Sequence, residues 1–177
     1  YGIAAGMKYL HDHGIIMKHT LKASSVYLDD YLFPRIKLIS EIVGIENICL
    51  SIANVSQDRD NYIYLSPESI NEEPITYSSD IYSYSMIVYK ILMNEFDFNL
   101  TRLSRCVREI SMGKRPKFSK PIPSCYIKLI ERCWAQNPSE RPRFDGILSE
   151  LRNNKEFITE FNVNEEAFLD YIEYIEK

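Results

Sequence analysis

The side chains able to do chemistry near neutral pH are few in this chain and thinly spread. A polar loop from Lys18 to Ser25 brings Lys18, His19, Thr20, Lys22 and Ser25 close together. Histidine is the side chain that titrates near physiological pH, so His19 could act as a base. A lone loop histidine is more often simply exposed, and that is the preferred reading. The cysteines Cys49, Cys106, Cys125 and Cys133 form no C-x-x-C pair and, with three scattered histidines, no zinc spacing. They read as reduced, mostly buried thiols of an intracellular, cytoplasmic protein. A net charge of −4 offers no basic surface for nucleic acid. No apolar run approaches the roughly 20 residues that span a bilayer. Tyr1 to Met7 lack the regions of a signal peptide, and without an initiator Met the chain is expected to begin inside a longer protein. Thirteen tyrosines are read as amphipathic packing at helix surfaces.

The elements that must position these residues are mostly helical. Ile3, Met7, Leu10 and His11 fall on one stripe, so residues 1–13 read as a helix stopped by Gly14. Val26-Tyr27-Leu28 and Arg35-Ile36-Lys37-Leu38 are short strand candidates around a turn at Asp29 to Pro34. Residues 40–66 read as irregular. Ser78 or Ser79 is expected to cap a helix running to about Asn94, with Ile81, Tyr84, Ser85, Ile87, Val88 and Ile91 making it apolar nearly all round. A helix of that kind is buried. Further helices are expected at about 100–112, 124–135 and 143–153, punctuated by prolines. An amphipathic helix at 164–176 carries Ala167, Phe168, Tyr171, Ile172 and Ile175.

Several stretches, in order and at matching separations, resemble the C-terminal lobe of the eukaryotic protein-kinase superfamily. They are Tyr9-Leu10-His11, then Leu21 to Asp29 against the second half of H-R-D-L-K-P-x-N-I-L-L-D, then Ser66-Pro67-Glu68 against A-P-E. Ser79 to Ser85 resembles S-D-V-Y-S-F-G, and Cys133 to Pro142 resembles C-W-x-x-x-P-x-x-R-P. The last two are typical of the tyrosine-kinase-like group, whose active members mostly phosphorylate Ser and Thr. The resemblance implies a mainly α fold, a helical bundle around a buried central helix with one small β-hairpin. It implies a kinase-like C-lobe over 1–155, with a catalytic-loop region at 15–40, an activation-segment region at 38–68 and late helices at 78–155. Residues 156–177 then form a C-terminal helical extension, and the N-lobe is expected upstream.

Active members of the family use ATP and magnesium, with a catalytic-loop Asp as base and an Asn and a second Asp as metal ligands. The same resemblance places Thr20 at the base position, Ser25 at the Asn and Leu38 at the D-F-G Asp. Threonine has no pKa suited to a base near pH 7. Serine ligates magnesium weakly, and leucine not at all. The nearest carboxylate, Glu41, would need local remodelling to reach a metal. Lys22 occupies the phosphate-side lysine position and reads as a weak, solvated remnant. Glu68 and Arg141 match a buried family ion pair, Asp80 an Asp that accepts hydrogen bonds from the catalytic-loop backbone, and Trp134 a core aromatic. The expectation is an inactive pseudokinase module that binds protein partners, through 41–66 or the face around 95–120, with no cofactor of its own. The alternative is an active ATP-dependent Ser/Thr kinase in the full-length protein, with an unconventional site.

Overall fold

The computed structural model describes residues 1–38, 59–94 and 103–177. Helix α1 spans Gly2–Asp12, followed by a two-stranded antiparallel hairpin, β1 Val26–Leu28 and β2 Pro34–Ile36. A short helix α2 (Pro67–Ile70) leads to the long α3 (Tyr77–Met93). Then come α4 (Leu103–Ser111), α5 (Ser124–Cys133), α6 (Phe144–Asn153), α7 (Glu156–Thr159) and α8 (Glu165–Glu176). The fold is mainly helical with one small hairpin, as the motifs implied.

Helix α3 is the axis of the lobe. Eleven of its residues are buried, including Asp80, Ile81, Tyr82, Tyr84, Met86, Ile87 and Tyr89. Its N-cap is Thr76, not Ser78 or Ser79: the Thr76 hydroxyl accepts from Ser78 N, and the Ser79 hydroxyl accepts in return from Thr76 N. This reciprocal pair satisfies donors that helix starts leave open. Ile91, expected inside, is 66 % exposed, so the last turn of α3 is amphipathic. Asn94 closes the helix in the left-handed region at φ 62°, where Asn is tolerated.

The tyrosines correct a second expectation. Tyr62, Tyr64, Tyr82, Tyr84 and Tyr89 belong to the buried interior rather than to helix surfaces. The Tyr89 hydroxyl donates to Lys117 O at 2.7 Å, which gives the phenol the partner that burial demands. Trp134 packs with Tyr89 and Phe118, at centroid distances of 5.9 and 5.7 Å. Gly14 ends α1 region with φ +74°. The hairpin turn is held by Asp29, whose carboxylate accepts from Tyr31 N and Phe33 N and pairs with Arg35 at 2.7 Å.

Candidate functional site

The loop between α1 and β1 carries the candidate chemistry, and α3 shapes it from below. Met17 and Leu21 are buried and fix the loop to the core. Asp80, 1 % exposed, accepts a hydrogen bond from Met17 N at 2.9 Å through Oδ2. The same oxygen meets His11 Nε2 at 3.0 Å. The His11 ring packs beside Tyr77 and Phe144. One carboxylate on the first turn of α3 thus ties both the end of α1 and the start of the loop. His11 entered the sequence reading only as a stripe and motif residue; its partner lies 69 positions away, and no local pattern announces that contact.

Inside the loop the hydroxyls of Thr20 and Ser25 are committed locally. Thr20 Oγ1 donates to Met17 O at 2.6 Å. Ser25, 3 % exposed, donates to Lys22 O at 2.7 Å and accepts from Lys22 N at 2.9 Å. Ser25 O in turn accepts from Lys37 N at 2.8 Å, which links the loop to the strand leading to Leu38. Leu38 is 54 % exposed. Lys18 and His19 both have positive φ, 45° and 73°. His19 Nε2 is buried with no hydrogen-bond partner among the described residues. Burial lowers the His19 pKa, while Asp80 and Glu68 act in the opposite direction. The imidazole is therefore neutral near pH 7. Glu41 lies outside the described residues.

Among the described residues, those at these positions do not fit magnesium-ATP. Ser25 has its oxygen engaged by the loop backbone on both sides, Leu38 has no donor atom, and Thr20 brings no carboxylate. A hard cation needs oxygen ligands, and carboxylates are what offset its charge.

A second cluster is structural. Arg141 Nη1 and Nη2 lie 2.6 and 2.8 Å from the two Glu68 carboxylate oxygens, a bidentate pair with side chains 0 % and 4 % exposed. Arg141 also donates to Ala135 O and Ser78 O, each at 2.9 Å. Glu68 accepts from the Ser79 hydroxyl at 2.9 Å. Burial alone would raise the Glu68 pKa, but the Arg141 pair and further hydrogen bonds outweigh it, and the net shift is downward. The guanidiniums of Arg141 and Arg115 lie over the Tyr82 ring at 5.3 and 5.1 Å, within cation–π reach. The cluster joins α2, the start of α3 and the segment before α6.

A helical lobe built on a buried axis, with a carboxylate of that axis anchoring a hairpin-linked loop, is the C-lobe of a protein kinase fold. The family described as protein tyrosine and serine/threonine kinase matches residues 1–151, and the chain belongs to that family. The serine/threonine-protein kinase STY17 of Arabidopsis thaliana is 27% identical over 150 residues, covering 84% of this chain and 25% of the relative. The serine/threonine/tyrosine-protein kinase HT1 of the same plant is 28% identical over 159 residues, covering 89% and 40%. The probable serine/threonine-protein kinase roco9 of Dictyostelium discoideum is 34% identical over 155 residues, covering 85% and 4%. The chain therefore spans well under half the length of these relatives. Among the described residues no helix is long and apolar enough to cross a membrane.

Proposed function

We propose that this chain is a catalytically silent kinase-like lobe that acts through protein contacts. The observation that carries this reading is the state of the loop. Thr20 and Ser25, which the motif resemblance sets at the family's base and metal positions, turn their hydroxyls back onto the loop's own carbonyls. The fold-holding residues Glu68, Asp80 and Arg141 keep their partners, so loss of chemistry has not loosened the lobe. Buried, unpaired Cys106, Cys125 and Cys133 support an intracellular, cytoplasmic location. Within the proposed partner surfaces, residues 59–66 and 103–120 are described; 41–58 and 95–102 lie outside. The lobe is taken as residues 1–155, with 156–177 as an extension and an N-lobe upstream in the whole protein.

The relatives, described as serine/threonine kinases, favour the rival reading of an active Ser/Thr kinase in a longer chain. Thermal unfolding with ATP, with and without magnesium, separates the two. A ligand at a hundred times its Kd stabilises a binder by about 2.7 kcal/mol; no magnesium-dependent shift is expected here. Transfer of labelled phosphate to a protein substrate, abolished by Lys22→Ala, would overturn the silent reading.

A further inference from the structure

The family match ends at residue 151, yet the chain beyond it folds back onto the lobe. Helix α8 lies across the start of α1 and the tip of the hairpin. Phe33 at that tip stacks with Tyr171 and Tyr174 of α8, at centroid distances of 5.3 and 4.9 Å. Tyr1 meets Phe168 and Tyr171 edge-on. Ile172 is 1 % exposed and is the buried residue of the helix.

The position of the Tyr171 hydroxyl stands out. It lies against the Gly2 backbone, which counters part of the rise that burial gives its pKa. A methyl group at residue 2 would collide with that hydroxyl and, at 2.6 Å, with Pro34 Cγ. The phenol thus ends in a notch that exists because residue 2 has no side chain. The charged groups facing it are Asp29 and Arg35, and these two already pair with each other at 2.7 Å.

We propose that α8 is a releasable clasp over the hairpin and α1, and that phosphorylation of the Tyr171 hydroxyl opens it. The modification is transfer of the γ-phosphoryl of ATP by a separate tyrosine kinase. The phenol O–H breaks, an O–P bond forms, the proton passes to that kinase's base and ADP leaves. The product carries a charge of about −1.5 to −2. It has no space in the Gly2 notch, and the pair facing it gives little net help, because the attraction of Arg35, the larger of the two effects, is opposed by Asp29. Charge placed in an apolar interface disrupts it by the cost of desolvation. Among the described residues the side-chain ion pairs of α8 with the body, Arg152 with Glu176 and Lys155 with Glu165, are largely exposed, and the Tyr1 hydroxyl donates to Glu176 in an exposed bond. Exposed pairs of that kind hold little. The helix therefore belongs to the low-stability end of the molecule, where local opening admits a modifying enzyme. Tyr174 is the internal control: it stacks on the same Phe33 but is 54 % exposed, so a phosphate there reaches water without leaving the docked state.

The test uses the full chain. Incubation with a broad-specificity tyrosine kinase and ATP, mapped by mass spectrometry, is expected to label Tyr171; its absence from the labelled sites overturns the proposal. Chains carrying phosphotyrosine at 171, at 174 or at neither are then compared by amide hydrogen exchange. With phosphate at 171, amides of 165–176 and 33–36 are expected to exchange at least about tenfold faster while those of α3 keep their rates. The form modified at 174 should match the unmodified chain. Retained protection in the first form, equal opening in the second, or α3 exchange rising in step with α8 would each refute the clasp.

Discussion

Replacing Glu68 with Ala removes one partner of a pair that the protein holds out of water. Arg141 would keep Ala135 O and Ser78 O but lose both carboxylate contacts, leaving a cation inside the lobe with no counter-charge. The Ser79 hydroxyl would lose its acceptor as well. Breaking a buried pair from one side costs roughly 3–5 kcal/mol, a large share of the 5–15 kcal/mol typical of a whole domain. For a chain of this length each kcal/mol moves Tm by about 2–4 °C, so a drop of roughly 6–20 °C is expected. Urea titration followed by circular dichroism gives the free energy directly. Removing both charges together, as Glu68→Leu with Arg141→Met, should recover part of the loss, because an apolar pair strands no ion. Acid adds a check on sign. The Glu68 pKa lies below its ordinary 4.5 in the folded state. Its stabilising share is therefore complete above the unfolded value and lost as pH falls through the folded one. Wild type should lose stability below about pH 4.5 more steeply than Glu68→Gln. A Glu68→Ala loss under about 0.5 kcal/mol would show a surface-type pair and refute the reasoning.

Asp80→Ala should cost about 1–3 kcal/mol for each donor left without its acceptor, Met17 N foremost. Amide exchange at residues 17–20 should rise with it; unchanged rates there would detach the loop from α3. Tyr89→Phe removes the bond to Lys117 O and should lower stability by about 1 kcal/mol, read from the same urea titration. Burial pushes the Cys133 thiol up to about 12, and raises those of Cys106 and Cys125. All three should resist a thiol reagent at pH 8 until denaturant is added, and fast labelling of Cys133 in the folded chain would contradict its burial.

Helix α3 was readable because its apolar residues surround the axis, and a pattern of that kind has few other homes. Its cap was not: the reciprocal bonds of Thr76 and Ser79 put a serine where the familiar capping signature has Glu or Gln. Helices α2 and α7 have four residues each, too short to show a period. The motif spacing singles out Thr20, Ser25 and Leu38 as candidates, but spacing carries no information on where a hydroxyl points. That Thr20 donates to Met17 O, and that Ser25 is engaged by Lys22, are consequences of loop geometry set by a carboxylate 63 residues from Met17. The seat of Tyr171 beside Gly2 is likewise a long-range event between two residues that are unremarkable in their own neighbourhoods.

Lys18 and His19, two adjacent residues with side chains, both occupy backbone conformations that glycine takes freely and they do not. Their own chemistry does not favour that shape, so it is imposed from beneath by Asp80 and the buried Met17 and Leu21. The mould and the cast are thus separate. The contour of the loop at 18 and 19 is therefore fixed by residues other than the two that occupy it. Glycine at 18 or 19 would relieve the tension and leave the contour intact.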